Sequence, residues 1–209
     1  MQGERQLSRG EATRERLLSI AEQSVIAKGF SNTSIEEIIC EAGLTKSGFF
    51  YHFPDKTALA KGLIERFKRE DSAVMAAMWA RAEELSDDPL QVVLIALKLM
   101  AEAFAELETV HPGCIVASVA YHDRQFDEEV RALNASAVQV WRDLLRARLA
   151  AAAERHPPVI AVDLAHLADM LPAVVDGAMI NERVLDERGF LVEQLLLYRS
   201  FVQAVFTGR

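Results

Sequence analysis

The spacing of apolar residues is the feature that most constrains the fold of this chain. Nearly every segment repeats apolar residues at intervals of three to four, as a helix does, and no run of strict apolar/polar alternation typical of a strand stands out. Ala, Leu, Glu and Arg, which favour helices, dominate the sequence. The sequence therefore predicts an all-α protein of about nine helices.

Start and stop signals divide the first 55 residues into three short helices. Ser8 and Glu11 have the spacing of a capping box at the start of the first helix, and Gly29 ends its apolar stripe. Thr33 or Ser34 caps the second helix. The third helix follows a tight turn containing glycine and holds the block "KSGFFYHF". The second and third helices are therefore predicted to form a helix-turn-helix.

Longer helices follow this module. We expect them over about residues 56–84, 88–107, 114–121, 127–155, 162–185 and 190–206, with a kink at Pro172. The change in helix length predicts a domain boundary after residue 54. Residues 1–54 would form a helix-turn-helix domain and residues 55–209 a second helical domain.

Bulk features exclude several classes of protein. No stretch of 18 uncharged apolar residues is present, and the first 16 residues lack the apolar segment of a signal peptide. We therefore expect a cytoplasmic protein with no membrane partner. Cys40 and Cys114 are the only cysteines and form no C-x-x-C pair, so neither a disulfide framework nor a zinc site is predicted.

The ordered block "TSIEEIICEAGLTKSGFFYHFPDKTALA" (residues 33–60), preceded by Gly29 and Phe30, resembles the TetR family of transcriptional regulators. Beyond residue 60 the resemblance rests on helix number and chain length. It implies a DNA-binding homodimer that recognises a (pseudo)palindromic double-stranded operator. It also implies an effector pocket and a dimer interface within residues 55–209, and release from the operator by a small-molecule effector. It implies no enzymatic activity and no cofactor.

The residue types at the start of the third helix suit contact with DNA. Hydroxyl, ammonium and backbone N–H groups there can meet phosphates and base edges, and Lys46 is the best candidate for a contact with guanine. Tyr51 and His52 can reach phosphates or thymine methyl groups. Phe49 and Phe53 are four residues apart, so we expect them to pack together in the core. The residues predicted at the DNA interface are Thr33, Thr45, Lys46, Ser47, Gly48, Tyr51, His52 and Lys56.

Two positions depart from the pattern of the family. Phe50 stands where tyrosine is common, and it has no hydroxyl for a phosphate. Ser47 replaces a frequent glycine. Both changes bear on which operator is recognised.

The charge balance restricts how DNA can be bound. The net charge is −8, and residues 1–55 carry six Lys/Arg against eight Asp/Glu. A nucleic-acid contact must therefore use a local basic face, with acidic groups turned away. The basic residues expected to add an N-terminal arm and phosphate contacts from the first helix are Arg5, Arg9, Arg14 and Arg16.

The final helix predicts a dimer. Its apolar residues cover well over half of its circumference, so one side is expected to meet its own domain and another side a second copy. Together with the helix that contains Pro172, it would form a four-helix interface across a two-fold axis. The alternative is a central helix of a monomer.

A set of flexible apolar, aromatic and polar residues is predicted to line the effector pocket, although each of them would equally suit an ordinary core. The set comprises Met75, Met78, Trp79, Met100, Phe104, Cys114, Ser118, Tyr121, His122, Trp141, Met170 and Asp176.

Three alternatives to an effector-controlled repressor remain open. Cys114 follows a helix break, where a helix N-terminus lowers the pKa of a thiol, so it could act as a thiol sensor with His111 nearby. Cys114 and a histidine could form the nucleophile pair of an all-helical hydrolase, although no local motif supports this. The chain could also bind DNA as a nucleoid-associated protein with no effector. His122, His166 and Asp169 lack the spacing of a metal site, and no metal is predicted.

Overall fold

The structure, a computed structural model, describes residues 8–109 and 111–208, apart from the side chain of Asp123. Over these residues the chain forms only helices, which confirms the predicted all-α class. The helices are α1 (Arg9–Lys28), α2 (Ile35–Ala42), α3 (Lys46–His52), α4 (Lys56–Leu85), α5 (Pro89–Ala105), α6 (Ile115–Ala120), α7 (Glu128–Arg155), α8 (Leu164–Leu185) and α9 (Phe190–Thr207), with a 3-10 turn at Asp123–Gln125.

The first two helices begin at capping boxes. The Ser8 hydroxyl accepts the Glu11 N–H, and the Glu11 carboxylate accepts the Ser8 N–H at 2.8 Å. In α2, Ser34 makes the same reciprocal pair with Glu37, at 3.1 and 3.3 Å. Of the two residues predicted as caps for α2, Ser34 is therefore the cap and Thr33 is not.

A left-handed glycine joins α2 to α3. Gly43 has φ 62°, which a residue with a side chain rarely adopts, and its N–H bonds to the carbonyls of Ile39 and Cys40. Two residues later the Thr45 hydroxyl accepts the Gly48 N–H at 3.1 Å and starts α3. The short turn between α2 and α3 makes this pair a helix-turn-helix, as predicted.

The chain divides into two compact units. The first takes the residues up to Lys68 together with Cys114–Ala135, and the second takes Arg69–Gly113 and the residues from Ser136 onward. Helices α4 and α7 contribute residues to both units. The boundary predicted after residue 54 stays a prediction.

The core of the first unit holds α3 in place. Phe49 and Phe53 are 0% and 1% exposed, with ring centroids 5.9 Å apart, as their spacing predicted. The Arg14 guanidinium of α1 lies 5.0 Å from the Phe53 ring centroid. Each buried phenylalanine contributes about 1.5–3 kcal/mol through removal of its surface from water.

In the second unit, α4 and α7 run parallel. The Trp141 indole N–H donates to the Asp71 carboxylate at 2.5 Å, and Arg148 pairs with Glu83. The two pairs join residues that are 70 and 65 positions apart in the chain. A nearly constant separation along two helices is possible only if both run in the same direction.

Helix α9 packs against α5 and α8. The buried Tyr198 hydroxyl donates to the Leu167 carbonyl of α8 at 2.7 Å. Gly189, the residue before α9, has no side chain to cap the helix. The buried Glu182 of α8 does so instead, because its carboxylate accepts the Leu191 N–H at 2.8 Å. In the described part of the chain, none of the helices is long and apolar enough to cross a membrane.

Candidate nucleic-acid interface

One face of α3 is exposed while the opposite face is buried. Tyr51 is 84% exposed, whereas Phe49 is wholly buried. The exposed positions form a continuous band along the helix because they lie one turn apart. The members of this band, called the α3 strip below, are Thr45, Lys46, Ser47, Phe50 and Tyr51.

Phe50 belongs to the α3 strip and not to the core. It is 37% exposed, and its ring lies edge-on to Phe49 with centroids 5.4 Å apart. The Lys46 ammonium, one turn earlier, lies 6.0 Å from the Phe50 centroid, at the limit of a cation–π contact. The sequence showed only that Phe50 lacks a hydroxyl, whereas the structure places its ring beside the predicted base-reading lysine.

The first turn of α3 is internally hydrogen-bonded. The Thr45 hydroxyl accepts the Gly48 N–H at 3.1 Å and lies 3.1 Å from the Ser47 hydroxyl. The N–H of Gly48 is therefore engaged within the helix, and the close approach of the Gly48 backbone to DNA stays a prediction. Thr45 and Ser47 remain exposed.

The two predicted contacts at the C-terminal side of α3 have different surroundings. His52 is half-buried, and its ring packs edge-on to Tyr51 with centroids 5.1 Å apart. The Lys56 ammonium lies 3.4 Å from the Ser31 carbonyl and 4.9 Å from the Phe30 ring centroid. Burial lowers the pKa of Lys56 below its usual value. Lys56 thus holds the turn between α1 and α2.

The Thr33 side chain is buried. It is 2% exposed, its hydroxyl donates to the Gly29 carbonyl at 3.1 Å, and it lies 3.1 Å from the Ser24 hydroxyl. In this structure the Thr33 hydroxyl is thus engaged within the protein, and its contact with DNA stays a prediction.

The α6 segment (residues 115–126) packs against the turn between α1 and α2. The Gln125 amide donates to the Ser31 hydroxyl at 2.7 Å. The rings of Phe126 and Phe30 meet edge-on with centroids 4.7 Å apart. The His122 imidazole lies beside the same turn, 3.4 Å from where a Cβ of Gly29 would stand. These contacts join residues far apart in the sequence, and no local pattern indicated them.

Of the predicted basic residues, Arg9 and Arg16 are exposed on α1. Arg14 is directed inward to Phe53 and lies 3.9 Å from the Glu65 carboxylate. Arg5 lies outside the described residues.

The acidic residues of α2 would repel DNA to different extents, because Glu37 has partners within the protein. Glu37 is occupied by its capping contact with the Ser34 N–H and by the Lys28 ammonium. The hydrogen bond from Lys28, followed by the backbone bond from Ser34, holds the pKa of Glu37 below its usual value. Glu36 and Glu41 remain exposed.

The predicted pocket residues fall into both compact units. The first unit contains Cys114, Ser118, Tyr121 and His122. The second unit contains Met75, Met78, Trp79, Met100, Phe104, Trp141, Met170 and Asp176.

Two of the four pocket candidates of the first unit, Ser118 and His122, bond to backbone carbonyls at α6. The Ser118 hydroxyl donates to the Cys114 carbonyl at 2.9 Å, and His122 Nδ1 lies 2.9 Å from the Ser118 carbonyl. Tyr121 is 73% exposed. Cys114 is half-buried and begins α6 without capping it through its side chain. His111, predicted to lie near Cys114, belongs to the other unit, where burial lowers its pKa.

In the second unit, Trp79 is the most informative candidate. It is 4% exposed, and its indole N–H is buried without a hydrogen-bond partner among the described residues. Asp176 is half-buried, and burial raises its pKa. Met170 is 39% exposed. Across the described chain, no three acidic, histidine or cysteine residues are grouped as metal ligands would be.

Comparisons with known proteins agree with this geometry. Residues 17–63 match the family model described as "Bacterial regulatory proteins, tetR family". The chain is 25% identical over 182 residues to the HTH-type transcriptional repressor BepR of Brucella suis biovar 1, covering 85% of this chain and 83% of BepR. It is 26% identical over 168 residues to the HTH-type transcriptional regulator TtgR of Pseudomonas putida, covering 79% of this chain and 77% of TtgR.

A solved TetR-family regulator from Agrobacterium tumefaciens has the same fold, with a TM-score of 0.76 at 21% identity over 95% of this chain and 100% of that chain. The segment that matches the family model runs from α1 through α2 and α3 into α4, and so contains the whole helix-turn-helix. Residues 17–63 therefore match the helix-turn-helix segment of the TetR family of transcriptional regulators, and the chain as a whole is similar to regulators of that kind.

Proposed function

We propose that the protein is a homodimeric repressor that binds a (pseudo)palindromic double-stranded operator through α3 and is released by a small-molecule effector. The observation that carries this proposal is the α3 strip. It is an exposed band of polar and aromatic side chains on a helix whose other face is fixed by Phe49 and Phe53. A recognition helix in the major groove needs this combination of free side chains and a rigid base.

Within the α3 strip, Lys46 is proposed to donate to guanine, and Ser47 and Tyr51 to contact neighbouring base edges or phosphates. Arg9 and Arg16 would add phosphate contacts from α1. Because the whole chain carries a net charge of −8, long-range attraction to DNA is weak and affinity must come from these local contacts. Affinity is expected to fall steeply as salt rises.

The proposed partner for α8 and α9 is a second copy of the chain. Both helices expose large apolar side chains although α9 also packs against α5 and α8 within its own unit. Val184 and Leu197 are 75% and 63% exposed. The exposed apolar residues of the two helices, called the α8–α9 face below, are Met170, Ile180, Val184, Leu185, Leu196, Leu197 and Phe201. Two such faces would form a four-helix interface across a two-fold axis.

The effector is proposed to bind among the predicted pocket residues of the second unit, apart from Met170, which is exposed on the α8–α9 face. Trp79 supports this, since a buried indole N–H without a protein partner among the described residues is available to an acceptor on a ligand. Met75 and Met100 are buried and supply adaptable apolar contacts. The division into a DNA-binding domain at residues 1–54 and an effector-binding and dimerisation domain at residues 55–209 belongs to the same proposal.

The test begins with selection of preferred sites from random double-stranded DNA by the full-length chain. Lys46→Ala and Tyr51→Ala should each weaken binding to the selected site by about 5- to 150-fold, the range for loss of one good base contact. Lys98→Ala is the matched control, because it removes the same charge from an exposed lysine of α5 that pairs with Glu102.

Selection of no preferred sequence, or equal binding by Lys46→Ala and Lys98→Ala, would contradict DNA reading through α3. A thermal-shift screen of small molecules on the free protein should find ligands that also release the operator. Ligands that stabilise the protein but leave the operator bound would contradict control by an effector. Release by oxidant that is abolished in Cys114→Ser would favour thiol sensing instead.

A further inference from the structure

Of the phenylalanines at positions 49, 50 and 53, Phe50 is the exposed one. Phe49 and Phe53 are 0% and 1% exposed, whereas Phe50 is 37% exposed in the middle of the α3 strip. The exposed part of its ring lies among the hydroxyl and ammonium groups of the α3 strip and beside Tyr51, and Phe50 is the apolar member of that strip. If α3 enters the major groove, the complementary partner for this ring is an apolar group on a base edge.

Two neighbouring side chains lie close to the Phe50 ring. Phe49 meets it edge-on, with centroids 5.4 Å apart and an interplanar angle of 88°, so the buried core supports the ring from below. The Lys46 ammonium lies 6.0 Å from the ring centroid on the same exposed side. The helix therefore presents a positive donor and an apolar ring side by side, one helical turn apart.

The major groove offers one apolar group that matches such a ring, the 5-methyl group of thymine. The acceptors of guanine, O6 and N7, match the neighbouring ammonium. A phosphate is a poor partner for Phe50, because a phenyl ring neither donates nor accepts a strong hydrogen bond, whereas the exposed Tyr51 hydroxyl can do both.

We propose that Phe50 is a specificity-determining residue that packs on the 5-methyl group of a thymine beside the base contacted by Lys46. This inference rests on the proposed function and deepens it. Each half-site contains a thymine whose methyl group is read by Phe50, and a neighbouring guanine whose edge is read by Lys46. The absent hydroxyl at position 50 thus replaces a polar contact by an apolar one.

Deoxyuridine provides the test, since it pairs like thymidine and lacks only the 5-methyl group. After wild-type protein has selected its preferred site, each thymine in that site is replaced by deoxyuridine, one at a time. One thymine per half-site should show about a fourfold loss of affinity per replacement, the value of burying one methyl group. The other thymines should show little change.

Variants at positions 50 and 46 test whether Phe50 is the residue that contacts the methyl group. In Phe50→Ala the preference for thymidine over deoxyuridine at that position should vanish, while Phe50→Leu, which keeps an apolar side chain, should retain part of it. Lys46→Ala should leave this preference in place and lose discrimination at the neighbouring base pair. Thermal melting of each variant confirms that the fold is kept, as expected for an exposed position.

The possible failures are separable. Wild-type protein that selects a site but binds its deoxyuridine versions equally well overturns this inference and leaves the proposed function standing. A methyl preference that persists unchanged in Phe50→Ala also overturns it, because another residue then reads the methyl group. Wild-type protein that selects no site overturns the proposed function and this inference together.

Discussion

Replacement of Gly62 by alanine tests whether the core of the first unit is as tight as its geometry indicates. Gly62 lies within α4, where it faces the residues that support α3. A Cβ at this position would lie 2.9 Å from Cε1 of Phe53, 3.1 Å from Cδ2 of Leu18 and 3.2 Å from Nη2 of Arg14. The first distance is shorter than any ordinary contact between carbon atoms, so a neighbour must move.

Two opposing effects decide the outcome. Alanine is favoured over glycine in a helix interior by about 1 kcal/mol. An extra methyl group forced into a packed core costs about 1–3 kcal/mol. The Phe53 ring cannot move easily, because it is 1% exposed and packs near both Phe49 and the Arg14 guanidinium. We therefore expect Gly62→Ala to be destabilised by about 1 kcal/mol, the middle of the resulting range.

Thermal unfolding at a fixed protomer concentration measures this effect, and the expected loss corresponds to a fall in Tm of about 2–4 °C for a chain of this size. Gly10→Ala is the control, because a Cβ at Gly10, also in a helix, would have no neighbour within 4 Å. If Gly62→Ala melted above the wild type, as the control is free to do, the inferred tight contact between α4 and Phe53 would be refuted.

Three further predictions concern stability. Ser34→Ala removes the cap of α2 and should lower the free energy of unfolding by about 0.5–2 kcal/mol in denaturant titrations. An unchanged free energy of unfolding would show that the capping box does not stabilise the protein. Tyr198→Phe should lower it by about 0.5–1.5 kcal/mol, because the buried Leu167 carbonyl loses its donor; a change confined to the pH range where tyrosine ionises would contradict this cause. Burial raises the pKa of Asp71, so its charge costs stability at neutral pH. Asp71→Asn, which keeps an acceptor for Trp141, should therefore melt above the wild type at pH 7. The difference in Tm between Asp71→Asn and the wild type should narrow as the pH falls towards about 4, where the wild-type carboxyl becomes protonated. A difference in Tm that does not change with pH would contradict a charge on Asp71 as its cause.

The parts of the fold that the sequence could predict depend on residues close together in the chain. Helix starts at Ser8 and Thr45 depend on side chains within three residues, and the pairing of Phe49 with Phe53 follows from one turn of helix. Local sequence could not decide whether Thr33 or Ser34 caps α2, because both residue types cap helices. Only the packing of the turn between α1 and α2 buries the threonine.

The parts that the sequence could not predict depend on residues far apart in the chain. Gln125 reaches Ser31 across 94 positions, and no pattern near either residue indicates the contact. Glu182 caps α9 from nine positions before Leu191, which is outside the three-residue spacing of a capping box. A methionine or tryptophan at helical spacing predicts burial but not the unit in which it is buried, and the predicted pocket residues accordingly fall into both units.

The discontinuous first unit has a consequence for synthesis of the protein. Helices α1–α3 leave the ribosome early, but the unit to which they belong also includes Cys114–Ala135. The nascent chain therefore lacks Gln125 and Phe126, which hold the turn before α2, until α4 and α5 have been translated. We expect polypeptides that terminate before residue 114 to hold the turn before α2, and with it the helix-turn-helix, less firmly than the finished chain does.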